Sequence, residues 1–221
     1  MNALIQFDQN LFFILNGMHN PYWDMIMSLF TGKTYWLPFY IVIVWFIIKN
    51  FKSRTIFIFL LLALAIVASD QLTNLIKETV QRFRPTHEPT IQNFVHFVKN
   101  KGGLFGFFSA HAANTFTVAM FTSLVFKNKP FTFLIFFWAL MVSYTRIYLG
   151  LHYPLDIFTG MIFGLLLGFC TYKLLNFSER YFPALEKVKL NNRDFSYIFL
   201  FFLSMITTTF FVVFKIGNLL I

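Results

Sequence analysis

The chain is a succession of long apolar runs separated by short polar ones, and this alternation limits the fold more than any other feature. A run of roughly 20 apolar residues crosses a bilayer as a helix. Six such spans are expected: Thr34–Ile48, a run from Arg54 past Val80, Ser109–Phe126, Phe131–Leu149, Pro154–Leu175 and Asp194–Ile216. Residues 3–31 are too interrupted by Asp8, Gln9, Asn10, Asn16 and Gly17 to make another. Two short interfacial helices fit them better, the second starting at Asn20-Pro21 with Tyr22 and Trp23 at headgroup depth. Trp36 and its neighbours are placed in the interface at the start of the first, short span. The fold class is thus all-α, a polytopic membrane helix bundle, with residues 1–33 an N-terminal interfacial segment and 34–221 the transmembrane domain.

Composition agrees with this reading. At 57% hydrophobic, 21% aromatic and 12% charged, the 221 residues do not describe an ordinary soluble domain. The net charge of +9 does not point to nucleic acid, because the lysines and arginines sit at the ends of apolar runs, where lipid headgroups are the partners. No Lys or Arg precedes Lys33, so the basic start of a cleavable signal peptide is not expected. Cys170 has no second thiol for a disulfide or metal site and is assigned to packing. One membrane face collects Lys49, Lys52, Arg54, Lys127, Lys129, Lys173, Arg180, Lys187, Lys189 and Arg193, which makes it cytoplasmic by the positive-inside rule. The opposite face, periplasmic or its equivalent in a cell inner membrane, receives the residues that carry chemistry.

The first of these form a stripe. Asp70, Asn74, Lys77, Gln81 and Arg84 are spaced four, three, four and three, so a continuous helix ended by Pro85 places all five on one face. A charged Asp70 inside an apolar stretch is either a functional residue, with Lys77 as its nearest partner, or polar glue between helices. Residues 86–107 form a long loop whose His87 and His96 read as exposed rather than as metal ligands. Ser109 is a natural N-cap for the next span, so the backbone N–H groups after it offer an anion site, with His111 in the same first turn. The stretch from Thr145 to Asp156 joins two spans. Pro154 suits a first helical turn, from which Asp156 reaches back to the His152 ring, and Arg146 brings a phosphate-binding fork before the break at Gly150. Dipole-favoured helix capping is the alternative for Arg146 and Asp156.

Three pieces thus share one face: Lys77 followed by Arg84-Pro85, then Ser109-Ala110-His111, then Arg146, His152 and Asp156. Their order and spacing resemble the three-part signature of the type 2 phosphatidic acid phosphatase superfamily, with Phe108 and Ala110 where the family has Pro and Gly, and Thr145 where it has Ser. The resemblance implies a lipid phosphatase acting on a phosphate monoester or pyrophosphate, with undecaprenyl pyrophosphate, phosphatidylglycerol phosphate and lipid A phosphates as substrate classes. It implies His152 as the nucleophile that becomes a phosphohistidine, Asp156 as its orienting carboxylate and His111 as general acid. Lys77, Arg84, Ser109, Ala110 and Arg146 would bind phosphate. No cofactor and no metal are expected, since three cations stabilise the transferring group. The competing function is a non-hydrolytic anionic-lipid binding protein or transporter, which needs no positioned nucleophile. The oligomeric state is not written in the sequence.

Overall fold

The computed structural model describes residues 2–98, 100–178 and 190–220, so Arg180, Lys187 and Lys189 of the basic face lie outside it. Among the described residues there are eight α-helices and no β-sheet: α1 (Asn2–Asn16), α2 (Pro21–Phe30), α3 (Leu37–Phe51), α4 (Thr55–Val80), α5 (Ala110–Phe126), α6 (Lys129–Tyr148), α7 (Pro154–Ser178) and α8 (Asn192–Leu220). The all-α bundle follows. Four helices are long and apolar enough to cross a membrane, namely α4, α6, α7 and α8. The other two expected spans are shorter, α3 at 15 residues and α5 at 17.

Local chemistry sets most of the boundaries. Asn20 caps α2 by accepting from the backbone N–H of Trp23, with Pro21 in the first turn. Asn128 caps α6 in the same way through Phe131, with Pro130 next to it. Helix α5 lies at the centre and can therefore carry polar side chains that a lipid-facing helix could not. Its Thr115, Thr117 and Thr122 return hydrogen bonds to carbonyls one turn back, at 2.8, 2.8 and 2.7 Å, which satisfies these three hydroxyls within the helix.

Helix α5 packs on α7 through Gly160, Gly164 and Gly168. A Cβ added at these positions would stand 2.7, 2.3 and 2.7 Å from the carbonyl oxygens of Ser109, Ala113 and Thr117. Only hydrogen fits there, so the two backbones touch in the manner of small-residue membrane interfaces. An aromatic cluster packs between α3, α6 and α8, where the rings of Trp36, Phe39, Trp138 and Phe202 meet edge to face, tilted and stacked. Trp36 is therefore not an interfacial anchor. It is buried and donates its indole N–H to the Phe30 carbonyl at 2.7 Å, because the α2–α3 connection folds back over it.

Three further expectations change. The α4 helix stops at Val80 rather than running to Pro85, since Gln81 takes a left-handed conformation (φ 53°) and caps it. Cys170 is exposed on α7 and fills no core site. His96 is not a free loop residue: it stacks on His19 with ring centroids 3.7 Å apart and donates to Asp24 at 2.8 Å, and His87 is half-buried. The N-terminal helices are tied into the bundle by Asn16, whose amide donates to the carbonyls of Ile147, Tyr148 and His96 at 3.2, 2.8 and 3.0 Å.

Candidate active site

The site forms where the ends of α4, α5, α6 and α7 meet. After the left-handed turn at Gln81 the chain runs extended through Arg82-Phe83-Arg84 and pairs with residues 104–106. Arg84 N–H donates to Leu104 O at 3.1 Å, and Gly106 N–H donates to Arg82 O at 2.8 Å. This short pairing, and not a helical face, delivers Arg84. At Gly106 a Cβ would lie 3.2 Å from both Arg84 Cγ and Asp156 Oδ2, so a side chain there would press on both residues.

His152 follows the end of α6. Gly150, at φ 74°, turns the chain with no room for a side chain, since a Cβ would be 2.7 Å from His96 O. The carbonyl of Arg146 then accepts from both the Leu151 and His152 N–H groups, at 2.9 and 3.2 Å. The imidazole is buried. Its Nε2 lies 2.8 Å from Arg84 Nη1, and its Nδ1 lies 3.4 Å from Asp156 Oδ2. A guanidinium has only donors, so Nε2 must be the unprotonated nitrogen and the ring proton sits on Nδ1, facing the carboxylate. Asp156 reaches back from the first turn of α7 as the Pro154 spacing requires, and Oδ2 also accepts from the Tyr153 N–H at 3.1 Å.

Electrostatics favour a neutral ring. Burial pushes the His152 pKa well below 6.5, and the positive charges of Arg84, Arg146 and Lys77 push it the same way. Burial likewise lowers Arg84, partly offset by Asp156. His111 stands in the first turn of α5 within electrostatic reach of Arg146, His152, Lys33 and Lys77. Ser109 caps that helix, its Oγ accepting from Ala112 N–H at 3.4 Å, and its own N–H donates to the Asp156 carbonyl at 3.1 Å. Arg146 is held by Thr31, whose hydroxyl accepts from Nη1 at 2.6 Å. Arg84 and Arg146 each keep a buried Nε with no hydrogen-bond partner among the described residues. Donors left unsatisfied in that way suit an anionic guest.

Every residue expected from the sequence thus lies in or beside this cluster, although only Arg84, His152 and Asp156 touch one another through side chains. Asp70 pairs with Asn114 Nδ2 at 2.7 Å rather than with Lys77, which makes it a link between α4 and α5. Thr145 sends its hydroxyl to Val142 O at 2.6 Å and not into the site. Two residues escaped the sequence reading. Arg82 bridges Asp156 Oδ1 at 2.8 Å and Asp8 Oδ2 at 2.6 Å, and Asp8 is itself buried in α1. Asp8 stands in the polar cluster Gln6, Asp8, Gln9 and Asn10, and nothing in its spacing points to Arg82.

Beside His111 opens a cavity of about 420 Å³ between α3, α4, α5 and α6. Lys33, Asp70, His111 and Asn114 line its polar part, and residues such as Ile43, Leu62 and Val118 line the rest.

Comparison with known proteins accounts for this arrangement. Residues 58–180 match the PAP2 superfamily model. A lipid A 4'-phosphatase of Bacteroides thetaiotaomicron is 41% identical over 165 residues, 73% of each chain. A second, of Porphyromonas gingivalis, is 34% identical over 180 residues, covering 79% of this chain and 75% of the relative. Among solved structures, Aquifex aeolicus LpxE superposes with a TM-score of 0.58 at 23% identity, covering 75% of this chain and 94% of that one. A transmembrane PAP2-type phosphatidylglycerolphosphate phosphatase of Bacillus subtilis gives 0.62 at 22%, covering 79% and 87%. The chain belongs to the PAP2 superfamily, as a multi-pass membrane phosphatase.

Proposed function

We propose that this protein removes a phosphate monoester from the headgroup of lipid A through a phosphohistidine on His152. The observation that carries the reading is the 2.8 Å contact of Arg84 with His152 Nε2, which leaves Nδ1–H for Asp156 and fixes the tautomer a nucleophile needs. An incoming phosphoryl group draws the Arg84 guanidinium onto its own oxygens and exposes the Nε2 lone pair for in-line attack. Lys77, Arg146, the Ser109 side chain and the N–H groups at the start of α5, Ala110 included, hold the remaining oxygens and stabilise charge in the transition state. His111, charged once the dianion is beside it, protonates the departing sugar oxygen and then helps water release phosphate. Three cationic side chains supply the charge that a divalent ion would otherwise bring, so full activity is expected in excess chelator.

The cavity beside His111 supports a lipid substrate, since its apolar length suits an acyl chain while its polar mouth meets the headgroup. The two relatives of 41% and 34% identity support the lipid A phosphate over the other lipid classes. The basic residues Lys49, Arg54, Lys127 and Lys129 at the other ends of the helices support a site at the periplasmic face of the inner membrane.

The test is phosphate release from purified lipid A labelled at the 1- or 4'-phosphate, phosphatidylglycerol phosphate and undecaprenyl pyrophosphate, by wild type and His152→Ala. Release confined to the lipid A 4'-position and lost by at least about a thousandfold in the variant is expected. A variant that still turns over removes His152 as nucleophile, and preference for another lipid removes the substrate assignment.

A further inference from the structure

Two arginines lie two residues apart in the extended stretch before Pro85, and they are used differently. Arg84 keeps a buried, unpartnered Nε and faces His152. Both terminal nitrogens of Arg82 are tied to carboxylates: Nη1 is on Asp156 Oδ1 at 2.8 Å, Nη2 is on Asp8 Oδ2 at 2.6 Å, and the guanidinium lies 4.2 Å over the Tyr153 ring. Its charge is already met by two carboxylates, unlike that of Arg84. Asp8 is the far anchor. Its other oxygen accepts from the Leu155 N–H at 2.8 Å, one of the free donors in the first turn of α7. One buried carboxylate on α1 therefore grips both the cation that orients Asp156 and the backbone of the turn from which Asp156 projects.

We infer that Asp8 and Arg82 are positioning residues for the reaction, acting through Asp156 on the orientation of His152, which makes the N-terminal helix part of the active site. The inference rests on the proposed role of His152 as nucleophile. Asp156 makes a long contact with the ring, 3.4 Å, so its placement is sensitive to what holds its second oxygen. Arg82 supplies that hold, and Asp8 keeps Arg82 from swinging into solvent, where its side chain is already about one-fifth exposed (21%). Asp8 lies outside residues 58–180, the stretch that matches the family model.

The experiment is steady-state kinetics of the full-length protein in detergent on its preferred lipid phosphate, for Asp8→Asn, Arg82→Gln, Arg82→Lys, the Asp8→Asn/Arg82→Gln pair and His152→Ala. Thermal unfolding and gel filtration check that each is folded. Asp8→Asn is expected to lower kcat about tenfold and Arg82→Gln up to about a hundredfold, with KM within about a factor of two because neither touches phosphate. Arg82→Lys is expected to recover part of the loss. The pair is expected to be no slower than Arg82→Gln alone, because Asn at position 8 keeps a carbonyl oxygen to accept from the Leu155 N–H and loses only the charge that holds Arg82. Wild-type kcat in folded Asp8→Asn and Arg82→Gln, a rise in KM without a fall in kcat, or losses that multiply in the pair would each overturn the inference. Should Asp8→Asn not fold, Arg82→Lys against Arg82→Gln decides it by the same kcat criterion. An active His152→Ala would instead overturn the nucleophile assignment and leave the arginine contacts as architecture.

Discussion

Helix α5 meets α7 without a gap and meets α3 and α4 across a cavity of about 420 Å³. On the first side every fourth residue of α7 is glycine, and Ala112, Ala113, Phe116 and Thr117 of α5 lie against it, all buried. On the second side the same helix presents His111, Asn114, Val118 and Thr122 to an open space. The difference shows how one helix serves two needs. On the proposed mechanism His152 and His111 must keep a fixed separation, which backbone contact provides because close-packed interfaces do not deform continuously. A lipid must enter and leave, which requires volume. His111 stands at the border of the two.

The largest expected effect comes from breaking the closed side. Gly164→Val puts carbon 2.3 Å from the Ala113 carbonyl, and the overpacking is expected to cost about 3 kcal/mol or more. It would appear as a lower Tm and loss of the monodisperse peak in detergent. A wild-type Tm would mean that the seam yields. On the open side the same kind of change is expected to be tolerated. Val118→Phe fills cavity rather than backbone, so Tm holds, while KM for a long-chain lipid phosphate rises about tenfold, as when about two methylenes, near 0.8 kcal/mol each, lose their place. A soluble short-chain phosphate, which does not use the cavity, should be hydrolysed as before. Equal loss on both substrates would remove the cavity from substrate binding.

The smallest effect concerns pH. Burial and then the charges of Arg84, Arg146 and Lys77 lower the His152 pKa below 6.5, so the neutral, nucleophilic form persists below that pH. The acid limb of kcat/KM against pH is therefore expected below 6.5. Arg84→Gln removes one cation, which makes protonation easier and moves the limb to higher pH by about half a unit to one unit. A limb that stays in place would mean that Arg84 does not act on the ring.

The closed side was only partly legible in the sequence. Ser109 as a cap and Pro154 with Asp156 on the first turn follow from local rules, and the structure bears out both positions. The glycines at 160, 164 and 168 carry a four-residue spacing that reads directly as close helix contact, and it was the usable signal left unread. Arg84 was assigned to the right neighbourhood by the wrong route. Nothing local announces that Gln81, which is not a glycine, takes the left-handed turn that ends α4 and sends the next three residues out as an extended strip. Contacts such as Asp8 with Arg82 or Thr31 with Arg146 join residues 74 and 115 positions apart, and no periodicity encodes those. The open side was less legible still, because a void is a property of how four helices meet and not of any one of them.

The Arg84 contact also bears on the idle enzyme. On the proposed mechanism the guanidinium that sheaths the imidazole is the group a phosphoryl oxygen would claim, so Nε2 would be uncovered by the arrival of the anion itself. Electrophiles with no negative charge, including acylating reagents aimed at histidine, meet a capped lone pair. Selectivity against stray chemistry at His152 would then reside in the resting hydrogen bond itself.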